Sequence, residues 1–500
     1  MRLLAIALPN SGSRPGKAGL FLPLGMAYVT AALKSRGHEC DCLDLHTEEI
    51  LAGRPLDLWR RVQAFDLASY DAVAFGGVFL KFEVLKLLSE NIRAERGDLF
   101  QFVGGNMATL IADTILTKTA VDCVCLFEGE ETAVELAGAL EKGEDWRRTK
   151  SIRYHGDNGE IVSSPLRGTM AAENISILPD RENWNFDIIR KAFPFGSPGR
   201  YSAVVFASRG CPFKCTFCNP QSGRRIRTRE IDGIIAEIKH LKERWNVRYV
   251  RFFDEVFIGS KKKIRSLCKR MIDEKLGVHW WCQTQVRLVD DDLLRLMHKA
   301  GCIEIAYGVE SGSNAILEEM KKGITADLAR KAIVASDNAG MRVVLSMIAG
   351  TPSETVETLG ETRDFLISLN RINWTTIPSI NFIVPLPNTE LFNTALRMGL
   401  INDPEDYVVD AISRMEKYSG SINMTKMSME EFTSTVARFN RQIRKDFFAK
   451  HPSRYLLSLT GLDHLRLGLL FRYFSWRQVV PLLEALAWAI VGKRRPLFAK

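Results

Sequence analysis

Across its 500 residues the chain has no uninterrupted apolar run as long as the roughly 18 residues a bilayer-spanning helix needs, so such a helix is not expected. Its opening stretch, MRLLAIALPN, has one basic residue and a short apolar segment that stops at Pro9, so no secretory signal is expected either. G-x-G-x-x-G does not follow the first predicted strand and G-x-x-x-x-G-K-[ST] does not occur, which removes the dinucleotide fingerprint and the P-loop. There is no sequence repeat and no low-complexity tract. Excess charge is missing from most of the chain. The net charge is +9, and residues 441–500 hold twelve basic residues against three acids, so residues 1–440 balance. A nucleic-acid partner is therefore not expected. The ten cysteines sit mostly in apolar runs, as reduced buried thiols do; this argues against a disulfide framework and suits the reducing cytoplasm.

What is present is an alternation of strand-like and helix-like segments. Strands are predicted at 2–8, 38–45, 72–78, 100–105 and 122–127, with helical spacing at 24–37, 81–96, 107–118 and 130–142. This pattern predicts an α/β, doubly wound, Rossmann-like domain over residues 1–145, with ligands bound beyond the carboxyl ends of its strands. Three of those ends, near Gly76–Gly77, Gly104–Gly105 and Gly129, carry glycines that let a backbone approach a bulky ligand. Residues 146–200 read as a connector punctuated by prolines, with a hairpin turn at GDNGE. A second alternation has strands at 203–208, 248–253, 279–285, 302–309, 342–348 and 377–384. Six strand–helix units over 201–395 predict a partial (β/α)6 barrel rather than a closed one of eight. Residues 396–500 read as a helical C-terminal region.

Directly after the first barrel strand comes RGCPFKCTFCNP, in which Cys211, Cys215 and Cys218 are spaced C-x3-C-x2-C with no fourth cysteine nearby. A structural zinc site wants four protein ligands, which these three meet only if Cys268, Cys282 or Cys302 joins from afar. An iron–sulfur cluster takes one thiolate per iron, so three thiolates leave one iron open. Lys214, Arg209, Arg224 and Arg225 would offset cluster charge. The rival reading is three buried or fortuitous cysteines.

This spacing, with the aromatic Phe217 before the last cysteine, resembles the signature of radical-SAM enzymes. Further segments match in order: FFDEVF (252–257), Gln283, Gln285 and Arg287, GVESGS (308–313), MIAGTPSET (347–355) and PLPNTEL (385–391), where Asn388 replaces a usual glycine. The resemblance covers about 200–400. It implies a [4Fe–4S] cluster on Cys211, Cys215 and Cys218, with its open iron chelated by S-adenosylmethionine. It also implies reductive cleavage to a 5′-deoxyadenosyl radical and an electron donor such as flavodoxin or ferredoxin. Contacts to S-adenosylmethionine are implied for Phe217, Asp254, Glu255, Gln285, Arg287, Glu310 and Ser311. Glu310 and Ser311 also read as a helix N-cap, and Asp254 and Glu255 as a solvated pair. Trp280 and Trp281 read as core rather than as a substrate platform.

Residues 1–145 resemble the cobalamin-binding domains fused ahead of many radical-SAM enzymes, through PLGMAYVTAALKSRGHE, the VGG end of the fourth strand and FEGEET (127–132), where Phe127 replaces a usual glycine. The resemblance implies cobalamin contacts from Asn10, Ser11, Leu24, Gly25, Gly76, Gly77, Gly104, Gly105, Asn106, Glu128, Gly129 and Glu130. The D-x-H-x-x-G motif that sets a histidine under cobalt is missing; DLHTEE offers His46, but Glu49 stands where glycine should, and His46 reads as a surface or turn residue.

Together these resemblances imply a cobalamin-dependent radical-SAM enzyme that methylates an unactivated carbon of a small or lipid-like substrate. The rival readings are an oxidative cyclase or rearrangement enzyme with the same cofactors, and a non-catalytic cobalamin-responsive binding protein. Residues 459–500 mix apolar clusters, aromatics and arginines. They read either as an amphipathic segment in peripheral contact with an anionic membrane at its cytoplasmic face, or as a helical cap with solvated basic residues.

Overall fold

The computed structural model describes residues 1–10, 20–77, 80–171, 175, 177–191, 201–220, 222–414 (the side chains of 410–414 excepted), 422–452 and 454. Strands β1 (Arg2–Ala7), β2 (Glu39–Asp44), β3 (Ala72–Gly76), β4 (Phe100–Gly104) and β5 (Cys123–Cys125) form a parallel sheet in the order β2-β1-β3-β4-β5. Leu3, Leu4, Ala5 and Ile6 of β1 are all fully buried. A continuous apolar run is what a strand covered on both faces requires. The sheet order reverses at β1, so the carboxyl ends of β1 and β3 flank the crevice where such sheets bind ligands.

The GDNGE turn forms the expected hairpin, β6 (Ile152–His155) with β7 (Ile161–Ser163). It adds antiparallel strands to the edge of the same sheet, so the N-terminal sheet runs past residue 145 into the predicted connector. The remaining connector is anchored: Trp184 is fully buried, and its indole Nε1 donates to Thr30 Oγ1 at 3.1 Å.

The second sheet contains β8 (Ser202–Val205), β11 (Tyr249–Phe252), β12 (His279–Thr284), β13 (Cys302–Glu310), β14 (Arg342–Ala349) and β15 (Asn381–Phe382), all parallel and in sequence order. Between β8 and β11 a two-stranded ribbon, β9 (Ser208–Arg209) with β10 (Arg227–Thr228), runs antiparallel. The six-strand open barrel matches the predicted fold, though its last strand is two residues instead of the expected 377–384. Asn388 adopts φ 61°, a conformation glycine takes freely and asparagine tolerates next best, so the turn at PLPNTEL survives the replacement.

The C-terminal region contributes helices Pro404–Arg414 and Met429–Lys450. The latter buries Phe432, Val436, Phe439, Ile443 and Phe447, while Asn440 and Asn370 bond across to the barrel and helix backbones. Leu391, Phe392, Ile401 and Val408 join one apolar cluster with Val103, Ile111 and Ile115 of the first domain, so the two sheets share a core. Among the described residues no helix is long and apolar enough to cross a membrane. The basic tail 459–500, with its expected membrane contact, lies outside the described residues.

Candidate functional site

The three cysteines sit on a loop whose neck is the β9–β10 ribbon. Gly210 opens it with φ 97°, and a Cβ there would strike the carbonyl oxygen of Arg225. The Cys211 amide donates to Gly223 O at 3.0 Å and the Cys218 amide to Cys215 O at 3.2 Å. Farther round, Thr216 N donates to Met320 O (3.1 Å) and Leu391 N to Thr216 O (2.9 Å), tying the loop to the two helices beside it. Cys211 and Cys215 are half-buried and Cys218 reaches the surface, whereas Cys40, Cys123, Cys125, Cys268, Cys282 and Cys302 are buried, and no disulfide forms. Crowding by the protein and the neighbouring thiols pushes Cys218 up to about 12 and Cys211 upward. As thiolates they need a bound cation. Among the described residues no three His, Cys, Asp or Glu side chains converge to hold a single metal ion. Three thiols spread round one loop suit a cluster in which each iron takes its own thiolate.

The acidic pair expected at S-adenosylmethionine does other work. Asp254 is fully buried, accepting from Ala207 N (3.3 Å), from Ser208 N and from Ser208 Oγ (2.7 Å). Burial raises it to about 6 against those bonds. Glu255 accepts from Gly210 N at 2.7 Å and Ser222 N at 3.4 Å. Both carboxylates therefore brace the stem and neck of the cysteine loop instead of forming a solvated pair. Ser311 is also turned inward, 3.0 Å from Thr362 Oγ1 and accepting from Ser313 N. Glu310, in a left-handed conformation (φ 78°), is buried and paired with Lys322 at 3.3 Å, and the Lys322 ammonium lies 5.6 Å from the Phe217 ring centre. Arg287 stacks 4.1 Å over Phe213 of the loop. Gln285 Oε1 and Thr351 Oγ1, at the ends of β12 and β14, are buried with no hydrogen-bond partner among the described residues. Such orphaned atoms at the strand ends fit a mouth that holds a polar ligand. Tyr307 faces the other way, its hydroxyl 2.8 Å from Ser336 in the helix layer.

One more carboxyl lines this mouth. Glu354 is buried, accepts from Gly350 N at 2.6 Å, and is raised to about 7 by burial, with Glu319 adding repulsion. A carboxyl raised on folding binds its proton more tightly in the folded chain. Stability should therefore be greatest below pH 4.5 as far as this group is concerned, and fall as pH rises to about 7. The fall is on the order of 3 kcal/mol. Glu354→Gln is expected to flatten that part of the stability–pH curve, measured by denaturant unfolding between pH 5 and 8.

In the first domain, Gly76 of β3 and Gly104 of β4 pair in register. A Cβ on Gly76 would collide with the Met26 side chain; one on Gly105 (φ 111°) would lie 2.6 Å from the Gly77 carbonyl oxygen. Glycine at the two strand ends lets neighbouring segments pack closely, and Gly25 and Asn106 are exposed nearby. Strand ends without side chains leave a surface that a large flat ligand such as a corrin can approach. Gly105→Ala should lower stability by about 1–3 kcal/mol through its forced φ and the carbonyl clash. It should also abolish retention of cobalamin through gel filtration, read from the corrin absorbance. Leu24 is buried in the core cluster of this domain. Asn10 donates its amide to His46 Nδ1 at 3.4 Å; His46 is buried in the helix Leu45–Ala52 and is not the expected surface or turn residue. Ser11 lies outside the described residues.

Glu128 and Glu130 make ion pairs across the domain boundary. Arg209 and Arg227 face each other across the neck of the cysteine loop. Directly opposed like charges repel. Glu128 bridges them, with Oε1 3.0 Å from Arg209 and Oε2 2.7 Å from Arg227, and Glu130 takes Arg209 at 2.6 Å. All four side chains are at most 11% exposed. Arg209 also lies 4.9 Å over the Tyr28 ring. Arg209 is thus engaged by the first domain, whereas Arg224 donates to Phe213 O within the cysteine loop and its charge favours the Cys211 thiolate, as expected of a residue that offsets cluster charge. Gly129 packs 3.3 Å from Val29, measured from an added Cβ, in the same boundary. Sequence reading missed Arg227 and Lys322, because no local pattern links them to partners 99 and 12 residues away.

The profile of the Radical SAM superfamily matches residues 205–366, and that of the B12 binding domain matches residues 18–137. The chain belongs to the radical SAM superfamily. Within it, this is a member with a B12 binding domain ahead of the radical SAM domain, which implies a [4Fe–4S] cluster, S-adenosylmethionine and cobalamin as cofactors. An uncharacterized methyltransferase of Pyrococcus horikoshii is 26% identical over 457 residues, covering 88% of this chain and 93% of its own. The anaerobic magnesium-protoporphyrin IX monomethyl ester cyclase of Cereibacter sphaeroides is 29% identical over 388 residues, 75% of this chain and 60% of that protein. Among solved structures, the radical S-adenosylmethionine methyltransferase TsrM of Kitasatospora setae superposes with a TM-score of 0.65 at 16% identity, covering 80% of this chain and 77% of TsrM.

Proposed function

We propose that the protein is a cobalamin-dependent radical-SAM methyltransferase acting on an unactivated carbon of a small molecule. Its reducing electrons would come from a donor such as flavodoxin or ferredoxin. The observation that carries this reading is the buried bridge from Glu128 and Glu130, at the carboxyl end of the cobalamin-domain sheet, to Arg209 and Arg227 at the neck of the cysteine loop. A methyl carrier and a radical source must act on one substrate, and this bridge holds their two strand mouths together. When bound, the cluster with S-adenosylmethionine supplies one-electron carbon chemistry and cobalamin supplies the methyl carrier. In this reading Cys211, Cys215 and Cys218 hold the cluster. Asp254 and Glu255 fix the backbone that carries them. Gly76, Gly77, Gly104 and Gly105 form the corrin bed, Gln285 and Thr351 offer polar atoms to S-adenosylmethionine, and the Glu310–Lys322 pair sets the position of Phe217. The methyltransferase names of the Pyrococcus relative and of TsrM support the reaction type.

The test is anaerobic reconstitution followed by turnover with methyl-labelled S-adenosylmethionine against a substrate pool. S-adenosylhomocysteine, 5′-deoxyadenosine and a labelled product are expected together. A product that is unlabelled, formed with 5′-deoxyadenosine, would replace methyl transfer by the chemistry of the cyclase relative. A reduced holoprotein that leaves S-adenosylmethionine intact would end the enzymatic reading.

A further inference from the structure

Residues on the barrel strands alternate between the helix layer and the interior. Val250 and Phe252 join the core formed with the surrounding helices, and Tyr307 reaches Ser336 on one of them. Arg251, Trp281, Glu304 and Arg342 take the opposite face, and the strand register sets them side by side in one row across β11, β12, β13 and β14. The row holds three formal charges. Glu304 and Arg342 pair at 2.9 Å. Arg251 is held differently. Its guanidinium carbon lies 4.8 Å from the Trp281 ring centre and 5.2 Å from that of Phe253, a ring 39% exposed. Its Nε and Nη1 are buried and donate to nothing among the described residues.

A guanidinium has five donors in a rigid fork and cannot shed its charge at ordinary pH. Burying such donors unused is unfavourable, and the neighbouring rings do not satisfy an N–H in the plane of the fork. The fork matches the geometry of a carboxylate or phosphoryl group, and the two rings, with centres 5.4 Å apart, lie together on one side of the guanidinium and do not take up its edge. Arg251 stands three residues before Asp254, the residue that braces the stem of the cysteine loop. At about 3.3 Å per strand residue it lies about 10 Å below that stem, inside the barrel.

We propose that Arg251 is the anion-binding subsite for the substrate: it takes a carboxylate or phosphoryl oxyanion in its fork, with an apolar or planar part of the same molecule along Trp281 and Phe253. This rests on the reading that the barrel interior is the reaction space. It narrows the substrate class to molecules with an anionic end remote from the methylated carbon.

The test uses the full chain loaded anaerobically with cluster and cobalamin, without reductant, so that no turnover is needed. Benzoate, phenylphosphonate and neutral benzyl alcohol are titrated while tryptophan fluorescence and the thermal midpoint are read. One or both anions should bind saturably and raise the midpoint, and the two arms separate carboxylate from phosphoryl preference; benzyl alcohol should not bind. Arg251→Gln should weaken the anion at least about tenfold, the scale of a charged hydrogen bond. Iron content, corrin absorbance and S-adenosylmethionine binding should be unchanged. Arg251→Lys keeps the charge without the fork and should fall between, which decides the matter if the glutamine variant does not fold. Equal binding of the neutral probe, no binding of either anion, undiminished anion affinity in both variants, or loss of S-adenosylmethionine binding would each overturn the proposal. Because binding is measured without turnover, a failure of methyl transfer leaves this result standing, and the reverse also holds.

Discussion

Cys211→Ala, Cys215→Ala and Cys218→Ala should each leave a folded chain that no longer holds a full cluster. The near-visible absorbance and the iron content of the reconstituted protein should collapse, and formation of 5′-deoxyadenosine should drop by more than about 100-fold. That exceeds the upper end of the cost of losing an outer-shell partner of a metal ligand, and a ligand itself matters more. The fold should persist because the loop is held by groups other than thiols. Glu255 fixes Gly210, Asp254 fixes Ser208, and Thr216 bonds to Met320 and Leu391. Circular dichroism and cobalamin retention are the controls. A variant that lost one cysteine yet kept both iron and S-adenosylmethionine cleavage would remove that residue from the cluster.

The second large effect is expected at the domain boundary. Arg209→Met removes the cation shared by Glu128 and Glu130 and strands the buried Glu130 carboxylate, while Glu128 keeps Arg227. Breaking a buried pair costs about 3–5 kcal/mol because an uncompensated charge stays behind. The variant should therefore lose that much stability by denaturant unfolding. Adding Glu130→Gln to it should restore part of the loss, since the stranded charge is gone. A merely structural loss would lower all activity together. A loosened boundary should instead let S-adenosylmethionine cleavage continue while methylated product falls, because cleavage needs only the cysteine loop and transfer needs both mouths in place. The ratio of 5′-deoxyadenosine to methylated product reads this directly. Raising the salt concentration should do little to the parent protein, since buried pairs are weakly screened.

The elements of both sheets were legible because their information is local. The β1 segment is apolar throughout since both its faces are covered, and the helix Glu130–Lys142 ends at Gly143 with φ 66°. The cysteine spacing was legible for the same reason: three ligands that must wrap one cluster have to come from one short loop. Harder to read were residues whose chemistry depends on a distant partner. FEGEET resembles a corrin-binding strand end, yet two of its glutamates meet arginines 79 to 99 residues further along. The acidic pair Asp254–Glu255 resembles a ligand contact, yet a carboxylate is also the acceptor that the loop's free amides require.

The sequence by itself determined the two parallel-sheet domains, the three-thiol loop and the cofactors this combination implies, because periodicity, glycine placement and ligand spacing act over a few residues. Only the tertiary structure decided which charges are spent on holding the domains together and which, like Arg251, stand inside the barrel without a hydrogen-bonding partner among the described residues. That distinction is made by strand register and burial, which join residues far apart in the chain and set what each charge can reach.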